Sequence, residues 1–163
     1  MIWVLRAGKE GMYYDQFLSS GKIFLPWAGY NVDLNTLNTR EDFRALVVNE
    51  KNPDARTTIS NWSAQLYSFC CEMDIGDYVM LPTKRSKEYA FVRITSDYLY
   101  EKNEIFHHVR KYSLLAEGIP RSKFQKSTQY SLGAFRTLFK VKQSEEVMTV
   151  VSEYTDAKRI SDR

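Results

Sequence analysis

The residues best suited to binding a ligand are aromatic and polar side chains at a place where a strand ends. In GKIFLPWAGYNVDL (residues 21–34) an apolar run stops at Pro26, presents Trp27 and turns. A core strand would continue into its next hydrophobic residue, so Trp27 is expected at a strand end, as a pocket wall or as a core residue. Tyr30 and Asp33 follow, and Asp33 can accept a hydrogen bond from a ligand or cap the turn.

Further candidate ligand contacts lie on a predicted helix and a predicted strand. Asn61 and Gln65 share one helix face, where they can bond a base edge or hold the helix to a neighbouring loop. Asp97, in TSDYLY, can accept a hydrogen bond or stabilise a turn. Tyr98 and Tyr100 point to the same side of a strand, so they can form pocket walls or pack in the core.

A basic segment, residues 118–144, contains no acidic residue and has the composition of a surface that contacts phosphates. A solvated basic face is the alternative. His108 and Arg110 share one face of another predicted strand and are expected to contact phosphates as well. The predicted contacts to a nucleic-acid backbone are His108, Arg110, Arg121, Ser122, Lys123, Lys126 and Arg136.

The sequence lacks the motifs of common catalysts. Its seven glycines fit neither GxGxxG nor GxxxxGK[ST], and no Gly-x-Ser-x-Gly elbow occurs. His107 and His108 are neighbours on a predicted strand, so their side chains point to opposite faces and cannot hold one metal ion. We therefore predict a binding protein with no catalytic residues, no metal site and no cofactor.

Hydrophobic periodicity predicts the elements that carry these residues. Strands are predicted at 2–8, 22–27, 76–83, 88–100, 107–115 and 133–141, and helices around 14–18, from about Arg40 and from Asp54. Thr39 and Asp42 form an approximate capping box, and KRSKE is a hairpin turn. The order predicts an α+β domain with a curved, mostly antiparallel sheet or barrel and flanking helices.

Composition bounds the remaining possibilities. A chain of 163 residues, 44% hydrophobic, can bury one substantial core, and a net charge of +3 permits a nucleic-acid partner. Cys70 and Cys71 are adjacent, which favours two reduced thiols and a cytoplasmic location. No signal peptide or membrane-spanning run is present, so no membrane partner is expected. We predict a domain at 1–142, and at 143–163 a helix that either leads toward a downstream effector or closes the same core.

Seven segments in order resemble a known family: IWVLRAG, KIFLPWAGYNVDL, NWSAQLYSF, GDYVMLPTK, FVRITSDYLY, HHVRKYSLL and IPRSKFQKSTQYSLGAF. Together, from about Ile2 to Val141, they resemble the PUA-superfamily domain, related to EVE and YTH domains, that precedes the nuclease in Mrr-type and other modification-dependent restriction proteins. Where that pattern has glycines, this chain has Pro26, Ala64 and Ser96. The matching residues are Trp27, Asp33, Asn61, Trp62, Gln65, Asp97, Tyr98, Tyr100, His108, Arg110, Pro120, Arg121, Ser131, Gly133 and Phe135.

This resemblance implies a curved β-barrel with helices on its flank and an aromatic cage that stacks a flipped, modified base. Trp27 would be one wall and tyrosines the others, while the helical Trp62 is expected in the core. The implied partners are DNA carrying a modified base and a C-terminal nuclease or other effector domain. An RNA-modification reader, a sensor of a nucleotide or other small ligand, and a purely structural interaction domain are the alternatives.

Overall fold

The computed structural model describes residues 1–162, which form seven strands and five α-helices. A π-helical turn, Ser68–Glu72, extends α3, and short 3-10 turns lie at Lys9–Gly11, Leu34–Thr36, Lys84–Ser86 and Arg121–Lys123. The strands are β1 (Ile2–Leu5), β2 (Lys22–Phe24), β3 (Tyr78–Pro82), β4 (Glu88–Ile94), β5 (Leu99–Tyr100), β6 (His108–Pro120) and β7 (Leu138–Lys140). The helices are α1 (Tyr14–Ser20), α2 (Arg40–Lys51), α3 (Arg56–Tyr67), α4 (Lys126–Leu132) and α5 (Ser144–Ser161).

The strands form one curled sheet in the order β2, β6, β4, β3, β1, β7, and β5 also pairs with β6. The long strand β6 causes the curl: its first residues pair with β2 and β5, and its remainder pairs with β4. Register shifts near Phe91, where β4 meets β6, add to the bending. The predicted α+β class with a curved, mostly antiparallel sheet is confirmed, and the sheet closes only as a half-barrel. One pair, β1 with β3, is parallel.

Side chains alternate between the two faces of the sheet along each strand, and helices pack on both faces. Trp3 and Leu5 of β1 enter a core shared with α1, α2 and α3, whereas Ile2 and Val4 enter a second core. α4 and α5 cover that second core, and Val147 of α5 is fully buried in it. α5 therefore packs on the same sheet as the rest of the domain.

Local signals in the sequence give most element boundaries. The capping box at α2 is confirmed: the Asp42 N–H donates to Thr39 Oγ1 (3.2 Å) and the Thr39 N–H donates to the Asp42 carboxylate (3.0 Å). The β3–β4 hairpin is also confirmed. The predicted strand at 88–100 breaks into β4 and β5, and residues 133–137 form a loop before the short β7.

No helix of residues 1–162 is long and apolar enough to cross a membrane.

Candidate functional site

An open cavity of about 540 Å³ lies between α3 and residues 134–137, the segment before β7. Trp27 lines it from the loop after β2, and Asn61, Trp62 and Gln65 line it from α3. Arg136 stands at its edge and is exposed. Four residues predicted to bind nucleic acid (Trp27, Asn61, Gln65 and Arg136) thus come together here, and we call this space the Trp27 cavity.

α3 presents one stripe of side chains to the cavity. Thr58, Asn61, Trp62 and Gln65 are spaced by three and four residues, so they lie along one face of the helix. The expectation that Trp62 belongs to the core is correct only in part, because its half-buried ring packs on the core and also lines the cavity. Trp62 lies three residues before Gln65 in NWSAQ, so the helical spacing that predicted a shared face for Asn61 and Gln65 also predicts Trp62 on that face.

Hydrogen bonds fix the polar side chains of this stripe. Gln65 is buried, its Oε1 accepts from the backbone N–H of Leu138 (2.9 Å), and its Nε2 donates to Asn61 Oδ1. Gln65 therefore ties α3 to β7 and orients the amide of Asn61. Within residues 1–162, no protein group accepts from Asn61 Nδ2, so that amide is a free donor at the cavity wall.

Two contacts hold the Trp27 side chain in place. Its indole Nε1 donates to Thr137 Oγ1 (3.2 Å), and its rings lie tilted against Tyr30, with centroids 6.2 Å apart. The side chain is half-buried, so one part packs on the core while another borders the cavity. A fixed, partly exposed indole is suited to stacking a planar ligand, because little rotamer entropy remains to be lost.

A cationic groove continues from the Trp27 cavity. A neighbouring cavity of about 720 Å³ shares Asn61 and Arg136 with it and adds Arg56, Lys140 and Lys142. Lys140 is paired with Glu72 (3.1 Å). Across residues 1–162, no carboxylate lies within ion-pair distance of the other three cations, Arg56, Arg136 and Lys142. The groove therefore has a net positive charge that an anionic polymer can neutralise.

Tyr30, Tyr98 and His108 lie in the interior, and their expected contact with a ligand is corrected to a structural role. The Tyr98 hydroxyl accepts from the backbone N–H of Leu34 (3.2 Å) and donates to His108 Nδ1 (2.6 Å). His108 Nε2 donates to the Tyr30 carbonyl (3.0 Å), which leaves Nδ1 as the acceptor in the neutral imidazole. Burial lowers the pKa of His108 to about 4, and burial raises that of Tyr30 to about 12. This network ties the loop after β2 to β6.

Arg110 is also buried, so its expected phosphate contact is likewise corrected. Its guanidinium donates to the carbonyls of Phe69 (3.0 and 3.2 Å), Cys70 (3.3 Å), Met73 and Ser96 (3.1 Å). Two of these carbonyls, those of Phe69 and Cys70, lie in the π-helical turn that extends α3, and Met73 follows that turn directly, so all three are at the negative end of the helix dipole. Arg110 therefore caps that helix end from β6, and burial lowers its pKa.

The other predicted pocket residues lie away from the Trp27 cavity. The Asp33 carboxylate accepts from the Asn35 N–H (3.0 Å) and caps a 3-10 turn, as the structural alternative predicted. Asp97 is exposed in the turn after β4. Tyr100, on β5, is half-buried with its ring near those of His107 and His108. None of the three lines the cavity.

The predicted backbone contacts around α4 are separate from the Trp27 cavity. Ser122, Lys123 and Lys126 are exposed on the turn before α4 and at its first residue. Arg121 lines a separate cavity of about 330 Å³. The fully exposed Phe135 borders both that cavity and the Trp27 cavity. Phe135 was not among the predicted contacts. It lies in the segment Gly-Ala-Phe-Arg, which lacks the alternation of apolar and polar residues typical of a half-buried strand, and this pattern could have indicated that Phe135 is exposed.

The possible metal ligands and the two thiols lie apart from the Trp27 cavity. Within residues 1–162, no three His, Cys, Asp or Glu side chains are grouped as metal ligands would be. Both cysteines are free thiols, and burial raises the pKa of Cys70 to about 12. A thiol with a raised pKa is a poor nucleophile, so Cys70 is not activated for catalysis.

Similarity to known proteins identifies a family for this chain but not an activity. A family model described as "Domain of unknown function (DUF8426)" matches residues 3–141. The match spans the segments that build the Trp27 cavity, from Trp27 through α3 to Arg136. No curated protein matches the chain.

Proposed function

We propose, from the premise that the chain belongs to the DUF8426 family of unknown function, that it is a DNA-binding module that recognises a modified base. The base is extruded from the duplex into the Trp27 cavity. One observation carries the proposal: two tryptophan rings, a free amide donor on Asn61 and an unpaired Arg136 border a single cavity of about 540 Å³. That volume lies within the range of small-ligand sites, about 300–1,000 Å³.

Aromatic walls offset part of the energy of base extrusion. Removing a base from the stack costs a few kcal/mol, and stacking on an aromatic side chain returns about 1–3 kcal/mol. Trp27 and Trp62 each offer part of a ring system to the cavity, and the core holds both rings in place. Any base can stack on such rings, so stacking provides affinity without identifying the base.

Identification of the base requires directional groups and a close fit. Asn61 Nδ2 can donate to an acceptor on a base edge, and Gln65 holds the Asn61 amide in that orientation. A methyl group on the base adds about 0.8 kcal/mol when buried, which separates methylated from unmethylated bases by only about fourfold. Larger discrimination therefore depends on how tightly Trp27, Trp62 and Thr58 enclose the modified group.

The cationic groove supplies affinity that does not depend on sequence. Arg56, Arg136 and Lys142 border the route away from the cavity and lack carboxylate partners among residues 1–162. Each phosphate that they neutralise releases counterions, so binding weakens as salt rises. The groove thus follows the backbone of the strand from which the base is extruded.

The resemblance to PUA, EVE and YTH-like domains suggests the biological setting. In that setting the module directs a modification-dependent restriction or defence nuclease, and the catalytic residues belong to an effector domain or partner. The chain contributes recognition, and we assign no catalytic residue to it.

Fluorescence anisotropy on matched duplexes tests the proposal. The duplexes carry cytosine, 5-methylcytosine, 5-hydroxymethylcytosine, adenine or N6-methyladenine at one position. Single-stranded RNAs that carry the same bases are titrated separately. We expect a preference for one modified duplex, and Trp27→Ala should weaken binding to that duplex by about 5- to 150-fold, the equivalent of about 1–3 kcal/mol of stacking. Tyr130→Ala, which removes an exposed aromatic on α4 outside the cavity, should leave it unchanged.

Two results would reject the proposal in different ways. Equal binding to all duplexes, unchanged in Trp27→Ala, would leave only a basic surface and remove the base pocket. A preference for modified RNA that depends on Trp27 would keep the pocket and make the chain an RNA reader instead.

A further inference from the structure

A third cavity, of about 330 Å³, lies beside the Trp27 cavity and is bordered by three arginines. Arg6 follows β1, Arg85 lies in the turn between β3 and β4, and Arg121 follows β6. We call this space the three-arginine cleft. Its other walls come from Ala7, Gly8, Glu10, Gly11, Pro82, Thr83, Ser86, Gly133 and Phe135.

The three arginines lack counter-charges. Within residues 1–162 no carboxylate lies within 4 Å of any of their guanidinium nitrogens, and the acid on the wall, Glu10, is exposed. Arg6 Nε donates to the backbone carbonyl of Ala134 (2.8 Å), which fixes its position. Three cations around one small space repel one another, and an anion in that space would offset the repulsion.

Two buried polar atoms without partners lie in the same region. Arg121 Nε and the Tyr89 hydroxyl are both buried, and within residues 1–162 neither has a hydrogen-bond partner. Tyr89 pairs across β4 and β6 with Ile119, two residues before Arg121, and the charges of Arg121 and Arg6 oppose the rise that burial causes in the pKa of Tyr89. Buried polar groups are nearly always satisfied, and two donors without acceptors indicate a missing acceptor.

The cleft has a defined shape because two loops approach each other closely. Gly11 (φ +71°) packs against the turn after β3, and a Cβ there would lie 3.0 Å from the backbone nitrogen of Lys84. Across that turn Arg85 and Ser86 adopt left-handed conformations, with φ of 63° and 53°. Such conformations are unfavourable for residues other than glycine and persist where the surrounding structure holds them.

We propose that the three-arginine cleft binds a phosphate group. A guanidinium group can donate two parallel hydrogen bonds to phosphate oxygens. The oxygens of a phosphate group point in several directions, so they can accept from arginines on different walls of the cleft. Phe135 borders both the cleft and the Trp27 cavity, so a strand whose base occupies the cavity can pass Phe135 and place a neighbouring phosphate in the cleft. This assignment of the phosphate to DNA rests on the proposed function; a free nucleotide would offer the same group.

The test neutralises one phosphate at a time. Duplexes carrying the preferred base and one methylphosphonate linkage at successive positions are titrated by anisotropy against the wild-type chain, Arg85→Gln and Arg121→Gln. We expect one linkage near the modified base whose neutralisation weakens wild-type binding about tenfold or more, as the loss of a charged hydrogen bond would. The same linkage should have no further effect in either variant, and Lys84→Gln, an exposed cation beside Arg85, should behave as wild type.

Further measurements separate the possible outcomes. Thermal melting identifies any unfolding of Arg121→Gln, and the exposed Arg85 provides a second variant that keeps the test valid. A flat methylphosphonate scan together with AMP binding, seen by phosphorus NMR and absent in Arg85→Gln, supports the phosphate site and identifies a free nucleotide as its occupant. A flat scan with no binding of AMP or inorganic phosphate overturns the site. A scan that responds while Trp27→Ala keeps full base preference supports the cleft and rejects the base pocket.

Discussion

Lowering the pH should destabilise the protein through one buried side chain, His108. Its imidazole is fully buried and neutral, bonded by Tyr98 and the Tyr30 carbonyl, and burial lowers its pKa from 6.5 to about 4. Asp33 and His107 are the charged or titratable neighbours that also act on this pKa, in opposite directions. Protonation in the folded state would place an uncompensated charge in the core and break the bond from Tyr98.

The sign and size of the effect follow from linkage. Between pH 6.5 and about 4 the unfolded chain binds a proton at His108 that the folded chain does not, so stability falls with pH in that window. Stability from this group is fully present above pH 6.5 and lost as the pH falls through about 4. One unit of pKa corresponds to about 1.4 kcal/mol, so pH 5 should remove about 2 kcal/mol and pH values below 4 about 3 kcal/mol.

Urea denaturation at pH 7.5 and pH 5 measures this loss. The wild-type free energy of unfolding should fall by about 2 kcal/mol more than that of His108→Gln, which keeps an amide donor but cannot titrate. Carboxylates that titrate in the same range cancel in that difference. His107→Gln, which removes the neighbouring imidazole, should retain the loss. Equal losses in wild type and His108→Gln would refute the argument.

Three further changes test other parts of the structure. Arg110→Met leaves the carbonyls at the end of α3 unsatisfied and should lower the free energy of unfolding by about 3 kcal/mol or more in urea, whereas the exposed neighbour Lys111→Met should change it little. Arg136→Gln should weaken binding to modified and unmodified duplexes alike and reduce the slope of log affinity against log salt by about 0.9, measured by anisotropy across a salt series; an unchanged slope would exclude a phosphate contact. Val147→Ala should destabilise the domain by about 2 kcal/mol, because α5 closes the second core, and Met148→Ala, on the outer side of that helix, serves as its control. A Val147→Ala effect no larger than that of Met148→Ala would show that Val147 does not stabilise the folded domain.

Elements with a local physical cause were predictable from the sequence. The Thr39–Asp42 capping box needs only four residues, and the β3–β4 hairpin needs only two strands and the turn between them. The parallel pairing of β1 with β3 joins segments more than 70 residues apart, and no local pattern indicates which strands meet. The α+β class therefore followed from the order of elements, whereas the sheet topology required the structure.

The candidate site was predictable only in part, for the same reason. Trp27 stands out because an apolar run ends before it, and Asn61 and Gln65 share a helix face. His108 and Arg110 looked like surface residues because of their type. Their burial depends on partners from distant parts of the chain, Tyr98 and the Phe69 carbonyl among them. Polar residues of this kind are stable inside only when such a network is complete.

NMR of the three tryptophan indole N–H groups shows whether a modified base enters the Trp27 cavity. A duplex carrying the preferred base and its unmodified counterpart have the same charge, so a difference between their titrations reports on the base alone. We predict that only the modified duplex shifts the indole resonances of Trp27 and Trp62, whereas Trp3, which lines the cationic groove, responds alike to both duplexes. If both duplexes move the backbone amides around Arg136 and leave the Trp27 and Trp62 indoles in place, the base does not enter the cavity and the account is wrong.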